Sequence, residues 1–492
     1  MAASLQQRFA TAVEADDAFL GRLRSVCAEV VQDEESASAA GRDWWPLTMV
    51  WARHGEVPAR PAAVARPGSA AEVAAVLSLC SSERMPVTPF AGRSGVCGAS
   101  LPVFGGVSLD LCRLDGITAV DHDSLLVDVL PGTFGHVFEA ALRADHGLTL
   151  GHWPQSIELS TVGGWLACRS AGQYSTRYGK IEDMVVGLDV ALADGRILGL
   201  GGRAPRSATG PDLTQLFVGS EGTLGVITAA RLRARPLPPA DRRAAYGFAG
   251  PASFADGLEA CRRILRRGAT PAVLRLYDHR EAKRSFDVAD DQAVLIVLDE
   301  AEPGLVDAVM AIVDAECSAA RAAPLDPGLV DRWLSHRNDV SGLQKAVDQG
   351  ITVDTIEIAA RWSALPAIYA DAIAEAKAVP GCWVVSAHQS HAYSDGACLY
   401  FTFAGQPTDD EGPSGSDRFY RGVWDAVTNV TLRHGGALSH HHGIGLNRGR
   451  FMADALGPAF DLLVGLKRTL DPAGVLNPGK LGLPSPFGEP AW

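Results

Sequence analysis

Three glycine-rich segments hold the first residues of this chain whose types and spacing could do chemistry. Pro89, Phe90, Ala91, Gly92, Arg93, Ser94 and Gly95 follow a short apolar run and lead on to Gly98. Glycine lets backbone approach a ligand closely and adopt positive φ. Successive N–H groups in such a loop form an anion-binding concavity. The segment is neither a G-x-G-x-x-G opening a helix nor a Walker loop, because no Gly-Lys-Ser/Thr occurs. Taken alone it could be a plain turn. Gln155, Ser156, Ile157, Glu158, Leu159, Ser160 and Thr161 run into Gly163 and Gly164, and Cys168, Arg169, Ser170 and Ala171 follow, so hydroxyls again sit beside glycines. Behind Gly219 come Glu221, Gly222, Thr223, Leu224, Gly225, Val226 and Ile227. Turn chemistry accounts for any one of these loops. Three at strand ends in one region point to a single long ligand threaded among them.

A second set lies towards the C-terminus. Tyr400 sits in the alternating stretch from Cys398 to Phe403, where a half-buried strand tyrosine is the bland reading. A phenol ionises near pKa ~10, so it needs nearby positive charge to serve as a base. His440, His441 and His442 could supply that charge or relay the proton, and Gly435, Gly436, Gly443 and Gly445 make a tight loop of them. Consecutive residues of an extended chain face opposite ways. All three histidines therefore do not easily bind one ion, and no metal is expected. Arg275 is either a strand-edge partner of Asp278 or a bidentate holder of a carboxylate or phosphate. Arg169 is a second anion-binding candidate.

The elements that must position these residues alternate between strand and helix. Ser69 and Glu72 have capping-box spacing, and Val73, Val76, Leu77 and Cys80 form one apolar helix face behind them. Asp194-Gly195 between two apolar runs reads as a hairpin turn. The run Arg235-Pro-Leu-Pro-Pro-Ala240 reads as a domain boundary, because proline is stiff and cannot donate to a ladder. Four parts are expected: a helical N-terminal extension over 1–56, ending in Trp44, Trp45 and Trp51 packed on the main body; a ligand-binding domain over 57–238; an α+β domain over 239–435; and a C-terminal segment, 436–492, that returns the histidine loop to the ligand.

Composition excludes several classes. The 492 residues carry a formal net charge of −13, which argues against a general nucleic-acid binder. Apolar residues at 47% and charged residues at 21% fit a globular chain with large cores. No apolar run is long enough to span a membrane, and the N-terminus lacks the apolar core of a signal peptide. The nine cysteines are scattered, with no Cys-x-x-Cys pair, so they read as core fillers in a reducing compartment. A cytoplasmic location is expected.

The motifs together resemble the vanillyl-alcohol oxidase/p-cresol methylhydroxylase superfamily of flavoproteins, and within it most of all the alkyldihydroxyacetonephosphate synthases. The matching strings are Leu159-Ser-Thr-Val-Gly-Gly-Trp165, Tyr178-Gly-Lys-Ile-Glu-Asp183, Gly219 to Thr228, Gly396-Ala-Cys-Leu-Tyr-Phe401 and Ser439-His-His-His-Gly-Ile-Gly445. The resemblance implies a two-subdomain FAD-binding domain and an α+β cap domain. It assigns residues 89–95 to the pyrophosphate, and 155–161, 163–164, 168–171 and 221–227 to the rest of FAD. Asn477 and Lys480 would support the flavin edge. Tyr400 would be the catalytic base, helped by the histidines, and Arg275 would bind the substrate. The pyrophosphate loop holds no histidine, so FAD is expected to be noncovalent.

Two positions depart from that likeness. The synthases carry an arginine about 14 residues before a Phe-Glu pair; the matching Glu357 is present, but the arginine position reads Leu343, with Lys345 as a point-charge substitute. The pyrophosphate loop reads Ala-Gly-Arg-Ser-Gly where the family has Gly-Gly-Gly-Thr-Ser. Two activities are therefore expected to compete. One is oxidation of a small hydroxylated, anionic substrate such as a 2-hydroxy acid. The other is exchange of an acyl ester for an alkyl ether on dihydroxyacetone phosphate. A homodimer is expected, with peripheral membrane contact only if the substrate is a lipid.

Overall fold

Ser69 caps the helix Ala70–Ser82 by accepting the Glu72 N–H at 3.2 Å. The Glu72 carboxylate returns to the N–H of Gly68 at 3.1 Å and not to that of Ser69. Val73, Val76, Leu77 and Cys80 are fully buried, as their spacing predicts. In this computed structural model residues 6–9, 12–407, 412–490 and 492 are described.

Strands β1 (Val30–Val31), β2 (Ala63–Ala65), β3 (Val87–Phe90) and β4 (Val107–Asp110) form one sheet in the order β1-β2-β4-β3. The β2–β4 and β3–β4 pairs are parallel. A second, antiparallel sheet holds β5 (Ile117–Asp121), β6 (Leu126–Val129), β7 (Val185–Ala191), β8 (Ile197–Gly201) and β9 (Val226–Arg233), in the order β8-β7-β9-β6-β5. Its β7–β8 hairpin turns at Asp194-Gly195, where Gly195 takes φ +85°.

The third sheet comprises β10 (Ala240–Ala249), β11 (Val273–Tyr277), β12 (Gln292–Ala301), β13 (Ala323–Leu325), β14 (Thr352–Arg361), β15 (Cys382–Ala392) and β16 (Gly396–Gly405). Its order is β13-β10-β12-β11-β15-β16-β14, antiparallel throughout. Helices Ser253–Arg266 and Leu365–Ala378 contribute Phe254, Leu258, Ile264, Leu365 and Ile368 to its main apolar core.

The N-terminal region is less uniformly helical than its sequence suggests. It holds helices Asp17–Val26, Glu34–Ala40 and Pro46–Arg53, but β1 lies between the first two and pairs with β2. Trp45 and Trp51 are fully buried, donating to Tyr420 Oη and to Asp417 Oδ1, each at 2.7 Å. Trp44 does not join them; it lines the main cavity. The C-terminal segment returns to the first sheet, where Asn477 donates its N–H to Val87 O at 2.8 Å.

Candidate functional site

A cavity of about 410 Å3 runs from the end of β3 to the face of β16. At one end its wall is built by the whole 89–95 loop. Gln155, Ser156, Leu159, Ser160, Thr161, Gly163, Gly164, Cys168, Ser170, Ala171, Glu221, Gly222, Gly225, Val226 and Ile227 continue it. At the other end stand Thr355, Tyr400, His441 and His442, with Asp339, Val340, Gly342 and Leu343 alongside. The loops interlock because glycine leaves them room. A Cβ on Gly92 would lie 2.1 Å from Leu159 O, and one on Gly222 (φ +73°) 2.4 Å from Pro89 Cγ. Backbone-lined walls of this length, with Arg93 and several hydroxyls, fit a dinucleotide such as FAD.

Several residues expected at the cofactor lie behind that wall or away from it. Ile157 and Leu224 are core residues, at 3% and 1% exposure, while Glu158 points to solvent. Thr223 donates its hydroxyl to Ser220 O. Arg169 takes φ +55° at the end of the helix Val162–Cys168 and turns to Glu182 at 3.3 Å. Asn477 donates to the carbonyls of Ala99 and Glu221, and Lys480 to that of Leu101 at 2.7 Å. These two residues stiffen the wall from outside.

Two buried carboxylates hold the histidine loop. Glu357, on β14, accepts from Ser439 Oγ and His442 N at 2.8 Å each, from His440 N, and from Arg448 Nη1 at 2.8 Å. Burial alone would raise its pKa, but the Arg448 guanidinium and the neighbouring imidazoles hold it well below the usual carboxylate range. Glu221 reaches across from the third glycine-rich segment and accepts from Ile444 N at 2.7 Å and Gly445 N at 2.8 Å. Burial pushes this carboxyl up to about 7 against those two N–H donors. Glu221 therefore clasps the loop as well as lining the cavity.

Tyr400 on β16 is registered opposite His388 of β15 and Glu357 of β14. Its ring stacks on His388 at 4.8 Å and meets His442 edge-on at 5.5 Å. Burial pushes the phenol well above its ordinary range, so it stands protonated. His442 is pushed down to about 4 by burial, and its Nδ1 lies 3.7 Å from Glu357 Oε1. His440 is not on the cavity wall; its Nε2 meets Tyr393 Oη at 2.9 Å.

Arg275 stands behind Tyr400 and off the wall. Its Nε donates to Tyr277 Oη at 2.7 Å and its Nη2 lies 2.5 Å from His388 Nε2. Asp278 is not its partner, because that carboxylate caps the helix His279–Phe286 and accepts from Ala387 N at 2.8 Å. A guanidinium only donates, so His388 accepts at Nε2 and carries its proton at Nδ1, 3.0 Å from Glu281 Oε1. Lys345 is exposed on the helix Ser341–Asp348, whose buried face is Val347, and it is not on the wall; Leu343 is.

His388, His391, Glu281 and Arg448 are the site residues that sequence reasoning missed. Ser386-Ala-His-Gln-Ser-His391 holds polar side chains in a strand that is buried from Val385 to Ala392, an unusual pattern that marks them in retrospect. The metal expectation weighed the three consecutive histidines alone; in the fold the ligand atoms of His391 and Cys398 also lie within 4.8 Å of those of His440 and His441.

The matches to known proteins follow this geometry. Residues 61–201 match the FAD binding domain family, and residues 240–481 match FAD linked oxidases, C-terminal domain. The FAD-linked oxidoreductase YgcU of Escherichia coli is 31% identical over 435 residues, covering 86% of this chain and 89% of that protein. The alkyldihydroxyacetonephosphate synthase of Dictyostelium discoideum is 29% identical, covering 88% of this chain and 75% of its own length. A solved alkyldihydroxyacetonephosphate synthase superposes with a TM-score of 0.78 at 26% identity, covering 95% of this chain and 86% of that one. p-Cresol methylhydroxylase, at 17% identity and a TM-score of 0.75 over 95% of this chain and 96% of its own, shares the fold.

Proposed function

The chain belongs to the FAD-linked oxidoreductase family, and on that premise we propose that it oxidises a small hydroxylated substrate, a 2-hydroxy acid being the class to test first. The observation that carries this reading is the continuity of one cavity, from the glycine-rich loops to Tyr400 and His442. Residues 89–95, 155–156, 159–161, 163–164, 168, 170–171, 221–222 and 225–227 would hold FAD, noncovalently. Once bound, FAD supplies an acceptor for hydride. The chain's own groups handle the proton. The protonated Tyr400 donates a hydrogen bond that fixes the substrate hydroxyl. Neutral His442 takes the hydroxyl proton, and Glu357, 3.7 Å from its Nδ1, stabilises the imidazolium that forms. Arg275 contributes a positive field from behind Tyr400, which favours an anionic substrate without clasping it. The glycolate oxidase subunit GlcD of Bacillus subtilis, 27% identical over 86% of this chain and 89% of that protein, supports the choice of class.

The test is anaerobic mixing of the flavin-loaded protein with a panel of 2-hydroxy acids while the visible flavin absorbance is followed. Bleaching supports oxidation. The likeness to the synthases favours a second reading, exchange of an acyl ester for an alkyl ether on dihydroxyacetone phosphate with no net redox change. Against it, Leu343 stands on the wall and Lys345 stands in solvent, so neither gives this end of the cavity a cation for a phosphate. An unbleached flavin together with alkyl transfer would establish the second reading in place of the first. Denaturing the protein in acid tests the attachment: released flavin is expected, and a yellow pellet contradicts it.

A further inference from the structure

His152 is 1% exposed, and the reaction proposed above leaves it without a role. It stands behind two residues of the cavity wall, Trp165 and Ser170. Its ring packs on that of Trp165 at 4.6 Å, and Trp165 is itself held by donating Nε1–H to Ser160 Oγ at 2.7 Å. His152 Nε2 lies 2.9 Å from Ser170 Oγ. Its Nδ1 is buried and has no hydrogen-bond partner among the described residues. That orphaned nitrogen decides where the proton sits. Burial keeps the imidazole neutral, with its pKa pushed down to about 3, so the ring carries one N–H. Buried N–H donors without an acceptor are rarer in folded proteins than acceptors left short of a donor. A proton on Nδ1 would be such a donor, whereas on Nε2 it is donated to Ser170 Oγ.

The consequence falls on Ser170. A hydroxyl has one proton and two lone pairs. His152 fills one lone pair, so the proton stays free, and no other described residue bonds to this hydroxyl. Ser170 lies on the cavity wall, where that proton is available to an acceptor inside. The segment that carries Ser170 runs beside the histidine loop. A Cβ on Gly443 would lie 3.7 Å from Cys168 Cβ, and Ser175 Oγ meets Tyr393 Oη at 3.0 Å. Tyr393 Oη in turn meets His440 Nε2 at 2.9 Å. On both sides of Ser170, then, the chain touches the end of the cavity where a hydroxylated substrate would meet the cofactor's reacting ring.

We propose that His152 is a positioning residue for the flavin: by donating Nε2–H to Ser170 it turns the Ser170 hydroxyl proton into the cavity, as a donor to an acceptor atom of the isoalloxazine ring. This rests on the reading that the cavity holds FAD. A donor already fixed in place costs no reorganisation when charge develops on the ring. It favours the electron-rich reduced ring over the oxidised one, because a hydrogen bond to a charged acceptor is roughly twice as strong as one to a neutral group. His152 therefore sets how readily the bound flavin accepts electrons without touching it.

The test is the two-electron midpoint potential of the FAD-loaded full chain, measured for wild type, His152→Leu, Ser170→Ala and the variant carrying both changes. Ser170→Ala is expected to shift the balance roughly ten-fold towards oxidised flavin, a fall of about 30 mV for a two-electron couple. His152→Leu is expected to lower the potential by a similar amount, and the double variant to fall no further than Ser170→Ala, because the two residues act as one unit. His152→Gln, whose side-chain N–H reaches as far as Nε2, should restore most of the potential. An unchanged potential in Ser170→Ala or in His152→Leu overturns the proposal, and so do two shifts that add in the double variant. If His152→Leu does not fold, His152→Asn, whose amide is too short to reach Ser170, takes its place with the same expected fall. Protein that takes up no FAD overturns the cofactor reading and this proposal with it; FAD-loaded variants at the wild-type potential overturn this proposal alone.

Discussion

At the scale of single residues the account turns on what Tyr400, His442 and Glu357 each do. Tyr400→Phe is expected to keep FAD, because the ring and its stack on His388 remain, and to lose roughly 10²–10³-fold in turnover with the loss of its hydrogen bond. Steady-state rates on the flavin-replete variant check this, and unchanged turnover removes Tyr400 from the mechanism. Glu357→Gln leaves Arg448, at 1% exposure, without its carboxylate, and is expected to destabilise the fold by about 3–5 kcal/mol in a denaturant titration. Tyr400 and the three histidines were singled out by the family resemblance, since strand spacing alone reads Tyr400 as a half-buried strand residue. The partners of Arg275 were not. His388 lies 113 positions away and reaches Arg275 only through the pairing of β11 with β15.

At the scale of elements, loops are fitted together where a side chain would collide. Gly92→Ala would place its Cβ against Leu159 O and push two cofactor loops apart, so the variant is expected to purify with less flavin per chain than wild type. Gly304→Ala, with nothing within 4 Å of its Cβ, is the control and should keep full flavin content. Equal flavin in both variants contradicts the interlocked-loop account. Capping at Ser69 and the hairpin at Asp194-Gly195 were readable because their signals lie within a few residues. The sheet order β13-β10-β12-β11-β15-β16-β14 was not, because pairing across the chain depends on burial partners that periodicity does not name.

For the whole molecule, burial of neutral histidines sets an acid limit. His152 is pushed down to about 3 by burial, and His388 to about 4 by burial and by the Arg275 guanidinium. Unfolded chains protonate these rings near ~6.5, so between there and the folded values the unfolded state binds more protons and stability falls as pH falls. The expected loss is about 1.4 kcal/mol per histidine per pH unit below that point, read from denaturant midpoints at pH 7.5 and 5.5. A flat profile contradicts the buried neutral state of both. The acidic balance of −13 argues against a general polyanion binder, and the cationic groups at the site are local: Arg93 on the wall, with Arg275 and Arg448 behind it. The central claim is that one cavity joins a flavin site to a proton-accepting end where a hydroxylated substrate is oxidised. Anaerobic mixing of flavin-loaded wild-type and Tyr400→Phe protein with 2-hydroxy acids tests it most directly. The account predicts rapid bleaching of the wild-type flavin and slow bleaching of the variant; a wild-type flavin that stays yellow with every hydroxy acid while the protein transfers alkyl groups would contradict it.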